Sequence, residues 1–79
     1  MKGEQLKQKL EEYKQKWSKL ENDKNSLKQK IIYEKTEAKR QEMRREISIL
    51  EQIIGGLEAE INNIKTAIQS GKDYYPAFI

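Results

Sequence analysis

The chain has 79 residues, 37% of them charged and 35% hydrophobic, with one proline, no cysteine and no histidine. So short a chain buries too little surface to be stable on its core alone, and commonly leans on disulfides, a metal or partner subunits. The missing cysteine and histidine remove disulfides and the common structural zinc sites, which leaves partner subunits.

The formal net charge of +3 is unevenly placed: residues 1–30 carry nine Lys against five acidic groups, and the remainder is close to balanced. A basic N-terminal third would suit nucleic acid or an anionic membrane. The plainer reading, lysines solvating a helix surface, is favoured. No apolar run approaches the ~20 residues needed to span a bilayer. The opening Met-Lys-Gly-Glu-Gln has no apolar signal-peptide core, so the expectation is a soluble cytoplasmic protein with no membrane contact.

From Gln5 onward an N-terminal apolar stripe runs through Leu6, Leu10, Tyr13, Trp17, Leu20, Leu27 and Ile31 to Ala38, with Lys24 and Glu34 as polar interruptions. These positions share one arc of a helix at 100° per residue. Neither Gly nor Pro occurs between Gln5 and Ile54, and helix formers fill the gaps. Asn22-Asp23-Lys24-Asn25-Ser26 is the one cluster of turn-formers in this half. Such side chains bond locally to the backbone and compete with helix, and Ser26 with Gln29 matches a capping box. Two architectures therefore compete: a helix that runs through, and a helix of residues 4–21 that turns back on one starting at Leu27. The unbroken spacing of Leu20, Lys24, Leu27 and Ile31 favours the first.

Between Tyr33 and Glu46 the segment is polar, and the stripe changes register by about a quarter-turn of helix. In a coiled coil this means a skip; otherwise each half packs against a different neighbour. The basic residues here are interleaved with Glu and do not share one face.

The strongest pattern is a second seam of Met43, Ile47, Leu50, Ile54, Leu57, Ile61, Ile64 and Ile68, spaced 4, 3, 4, 3, 4, 3 and 4. That alternation is a heptad signature. Isoleucine at the a positions with leucine at d is a parallel-dimer preference. Ile49, Ile53 and Ala67 widen the stripe, leaving room for a third strand or a partner helix alongside. Gly55-Gly56 lies within the seam's span but faces away from it. Each Gly costs a helix interior about 1 kcal/mol relative to Ala, which calls for an explanation: close approach of another backbone, a kink, or a reversal. Because the spacing passes through unbroken, a continuous or kinked helix is favoured over a hairpin at this point.

Ser70-Gly71 ends the helix, with Gly at C′. Tyr74, Tyr75, Pro76, Phe78 and Ile79 then form a short aromatic tail, which Pro76 makes extended. Two readings are balanced: a linear peptide that docks into a partner's groove, and a flap that folds back over the chain's own helices.

The fold expected is all-α: a long helix or helical hairpin forming an oligomeric coiled coil over residues 1–71, with an extended tail over 72–79. General acid–base chemistry needs a group tuned near neutral pH in a pocket, and no residue set here points to one. No catalytic residue, cofactor or metal site is expected. The function expected is a non-enzymatic assembly or scaffold protein acting through protein–protein contacts, with itself (a homo-oligomer, a dimer favoured) and with another protein held by the tail. Two alternatives stand beside it. One is a nucleic-acid-binding accessory protein using Lys7, Lys14, Lys28, Lys35, Lys39, Arg40, Arg44 and Arg45, disfavoured because acidic residues break every basic cluster. The other is a small inhibitor of a larger machine.

Overall fold

The computed structural model describes residues 1–77; Phe78 and Ile79 lie outside the described residues. Two helices, α1 (Glu4–Tyr33) and α2 (Glu37–Ser70), are joined by a three-residue connection and pack side by side as a helical hairpin. The molecule is a rod 52 Å long and 15 Å across. Its length is that of its longer helix, since 34 residues rising 1.5 Å each span about 51 Å.

The chain reverses at residues 34–36, not at 22–26 or 55–56, and both of those segments are helical. Lys24 shows why the first cluster of turn-formers stays in the helix. Its Nζ lies 3.1 Å from Glu21 Oε1, one turn back, so the polar group on the inner face is paired within α1. The reversal falls where the two apolar stripes change register. A hairpin absorbs that shift, because each helix turns its own stripe toward the other.

The turn is made without glycine, proline or asparagine. Glu34 leaves the helix in an extended conformation (φ −77°, ψ 125°), and its backbone N–H donates to the Ile31 carbonyl at 3.4 Å. Its carboxylate then accepts the Thr36 N–H at 3.0 Å, satisfying a backbone donor between the two helices. That Thr36 hydrogen bond is the main reason the Glu34 carboxyl sits below its ordinary pKa. At the far end Gly71 adopts φ 66°, ψ 23°, while the Lys72 N–H reaches the Ala67 carbonyl at 3.1 Å and the Gly71 N–H reaches Ile68 at 3.3 Å. This pair of bonds is a Schellman motif, and its left-handed residue favours glycine.

The core gathers at the end of the rod away from the turn. Leu6, Tyr13, Leu57, Ile61, Ile64 and Ala67 form one buried cluster, with Met1, Leu10, Trp17, Leu20, Ile68 and Tyr74 packed around it. Ile54 is buried as well. From Ile54 to Ile64 the second seam therefore meets the N-terminal stripe of its own chain. Toward the turn the packing thins: Leu27, Ile31, Met43, Ile47 and Leu50 are only half-buried, and Ala38 is exposed.

Candidate interaction surface

Three groups of residues stand out from the sequence, and the hairpin sorts them. The N-terminal stripe and the second seam make the core just described. Trp17 bridges them at the rim, its indole N–H donating to Glu58 Oε1 at 2.9 Å. Lys28 and Glu51 form a second cross-helix pair at 3.5 Å, nearer the turn.

The tail is the third group, and it lies back along the hairpin. The Tyr74 N–H donates to the Met1 carbonyl at 3.0 Å, and the Met1 ammonium lies 3.8 Å from Asp73. The first residue and the start of the tail are thereby tied together at the open end of the rod. Glu60 receives the rest of the tail: its Oε1 accepts the Tyr74 hydroxyl at 2.7 Å, and its Oε2 accepts the Ala77 N–H at 2.8 Å. Asn63 donates to both, at 3.3 Å to Glu60 and 3.3 Å to the Tyr74 oxygen. Across the cleft the buried Tyr13 donates its hydroxyl proton to the Ala77 carbonyl. Partial burial works to raise the Glu60 pKa, but the donors from Tyr74, Ala77 and Asn63 outweigh it and the carboxyl ends below its ordinary value. The same hydrogen bond raises the Tyr74 phenol, because losing its proton beside Glu60 would set two anions together. Tyr74 and Pro76 are half-buried by these contacts and Tyr75 is 77% exposed. The expected docking roles of Phe78 and Ile79 fall outside the described residues.

Glu60 belongs to a flanking stripe of α2 that runs Glu42, Glu46, Ile49, Ile53, Gly56, Glu60 and Asn63, at helical spacing beside the seam. Its half near the open end lies under the tail. Its half near the turn is bare, with Ile49 56% and Ile53 38% exposed. Ile32 and Tyr33 are likewise exposed at the turn itself. Ile49 and Ile53 lie one turn apart on the same flank of α2, two large apolar side chains left in water side by side. Comparison with protein-family models, with curated proteins and with solved structures finds no match for this chain.

Several of the basic residues are paired with carboxylates one or two turns away. Lys7, Lys14 and Arg44 lie 3.6, 3.8 and 3.2 Å from Glu4, Glu11 and Glu37, the first two pairs within α1 and the third within α2. Exposed pairs of this kind contribute about 0–1 kcal/mol each and describe a solvated helix surface. Arg40, at the start of α2, is half-buried near the turn, and its Nε has no hydrogen-bond partner among the described residues. Among these residues no group of His, Cys, Asp and Glu is arranged to hold a metal, and no helix is long and apolar enough to cross a membrane.

Two features of this surface escape sequence reasoning. Glu60 looks like any carboxylate on a charged helix; only its place between Ile53 and Ala67 on a partly apolar flank hints at a covered position. Ile49 and Ile53 are visible as a widening of the seam, but which side of the hairpin they would face depends on where the chain turns.

Proposed function

We propose that this chain is a non-enzymatic assembly protein, a helical hairpin that completes its apolar packing against another protein surface, first of all that of a second copy. The observation that carries this reading is the uneven burial along the rod. The open end has a closed core roofed by the tail, while the half near the turn leaves Ile49, Ile53, Ile32 and Tyr33 exposed and Met43, Ile47 and Leu50 half-covered. Two helices alone cannot enclose a stripe as wide as this one, and bundles of three or four helices commonly do. The polar groups that converge, Glu60, Asn63, Tyr74 and Tyr13, are spent on holding the tail, which supports a structural role for them.

The test is the mass of the full chain in solution by light scattering at two concentrations a hundredfold apart. A mass that rises above that of one chain supports the proposal. A single chain at both concentrations, with unchanged helix content, contradicts it.

A further inference from the structure

The outward face of α2 carries a further pattern. Ser48, Gln52, Gly55, Ala59, Asn62 and Thr66 are spaced 4, 3, 4, 3 and 4, and all six are exposed. At 100° per residue they lie half a turn from the buried Ile54, Leu57, Ile61 and Ile64, on the side of the helix away from α1. This face holds no charge, in a chain whose residues are 37% charged. The four charged residues between Ser48 and Gln69 all lie off it. Glu60 holds the tail. Glu51, Glu58 and Lys65 stand seven residues apart along one border, with Lys72 next in line just past the helix end. Glu51 and Glu58 each use one carboxylate oxygen inside the hairpin, on Lys28 and Trp17, which leaves the second oxygen of each. Lys65 and Lys72 have no carboxylate partner among the described residues.

We propose that a second copy of this chain packs on the outward face of α2 in antiparallel orientation, with Glu58 of each copy paired to Lys65 of the other. This rests on the assembly reading and deepens it by naming the face and the register. The charges select the orientation. An antiparallel two-fold brings the same border of both helices together, so Glu58 and Lys65 meet twice. A parallel pair would set that border against the opposite one, where Ile49, Gly56, Asn63 and Ser70 offer no charge. The charges also select the register. Glu58 meets Lys65 when Ala59 lies level with Asn62 of the other copy, and Lys72 then comes toward Glu51. A shift of one heptad either way sets Glu58 against Glu58 or Lys65 against Lys65.

The tail leaves this face clear. It lies over the cleft flank, held by Glu60 and Asn63 on α2 and by Tyr13 on α1. Of these anchors only Asn63 borders the outward face, and the register sets it against Gly56 of the other copy, where no side chain stands in the way. Ala77 is bonded in the cleft, and the two residues after it extend at most about 7 Å. That falls short of the far side of a helix about 10 Å across. The contact runs along about 32 Å of helix and, over the rod's 15 Å width, covers about 480 Å² per copy. This is below the ~800 Å² per partner of a standard stable interface, so the pair is expected to be weak and reversible.

Two charge-reversed variants of the full chain test this arrangement. Lys65→Glu with Lys72→Glu makes the border wholly acidic, and Glu51→Lys with Glu58→Lys makes it wholly basic. Each variant alone sets like charges face to face and is expected to associate about tenfold more weakly than the unmodified chain, or less still. An equimolar mixture of the two is expected to recover association, because the acidic border of one meets the basic border of the other. Analytical ultracentrifugation reads all four samples, and circular dichroism checks that the helices are kept. An unmodified chain that associates, with variants that associate equally well alone or that recover nothing on mixing, overturns this arrangement and leaves the broader assembly reading standing. A chain that is single at every concentration overturns both. If the basic variant loses helix, Ala59→Arg takes its place, putting a long charged side chain in the middle of the exposed face. A loss of association of about tenfold or more upholds the proposal, and association as strong as that of the unmodified chain overturns it.

Discussion

Met43 and Leu57 hold equivalent d positions in the heptad pattern, yet the hairpin treats them differently, and alanine at each position measures that difference. Leu57 is 0% exposed, inside the cluster formed with Leu6, Ile61 and Ile64. Removing a fully buried leucine side chain costs about 2.7–5 kcal/mol, rising with the cavity left behind. A two-helix core has solvent close on both sides and can relax, so about 3 kcal/mol is expected for Leu57→Ala. For a domain of this size each kcal/mol is worth about 4–8 °C in Tm, which puts the drop at about 12–24 °C. The whole stability of such a domain is only about 4–12 kcal/mol, so this one change brings it near the edge of folding. Met43 is half-buried where the packing thins toward the turn, and Met43→Ala is expected to cost about 1 kcal/mol by loss of partial burial. Urea and thermal unfolding followed by far-UV circular dichroism, at one fixed protein concentration, supplies both numbers. Equal losses at the two positions would refute a core concentrated at the open end, and would restore an evenly packed coiled coil along the whole seam.

Other consequences are independent of that one. A Cβ built on Gly55 meets nothing within 4 Å among the described residues, so Gly55→Ala should stabilise α2 by about 1 kcal/mol, seen as a higher urea midpoint. Gly71→Ala should do the opposite by about 1 kcal/mol, since φ 66° is a conformation that side chains with a Cβ resist. The carboxyls of Glu60 and Glu34 are held below the ordinary value of 4.5. Their contribution is therefore complete above that pH and is lost as pH falls through the lowered folded values. The Tyr74 phenol is raised above 10.0, so its contribution is complete below that pH and lost as pH climbs through the raised value. Glu60→Gln should flatten the acid limb of the tail's release, followed by the near-UV signal of its tyrosines, while leaving helix content intact.

Much of this architecture is legible in the residues, and the parts that are not have physical reasons. Helix content follows from a run of helix formers without Gly or Pro, and the end of α2 follows from Gly71. Both apolar stripes are legible too. That they face each other is not, because a heptad seam specifies the face to be covered and leaves open which chain covers it. The turn hides for a related reason. Asn22-Asp23-Lys24-Asn25-Ser26 has the local preference for a reversal, but a turn there would split a continuous stripe and forfeit its burial. Tertiary packing outweighs the tenths of a kcal/mol that such side chains contribute locally. At 34–36 the residues have little turn preference, and the phase shift between stripes was the legible trace. The tail's return to Glu60 depends on two hydrogen bonds to one carboxylate, and no spacing in the sequence distinguishes that carboxylate from its solvated neighbours.

Underneath all of these expectations lies the claim that the N-terminal stripe and the second seam meet within one chain. Spin labels on Lys2→Cys and Lys72→Cys, with labelled chain diluted in excess unlabelled chain to silence contacts between copies, measure this as a distance. The hairpin places the Met1 carbonyl 3.0 Å from the Tyr74 nitrogen, so the labels should lie within about 20 Å, allowing for the length of their own linkers, where seventy residues of unbroken helix would hold them about 105 Å apart. A short distance is the predicted result. A distance near that of the straight helix would contradict the fold and everything built on it.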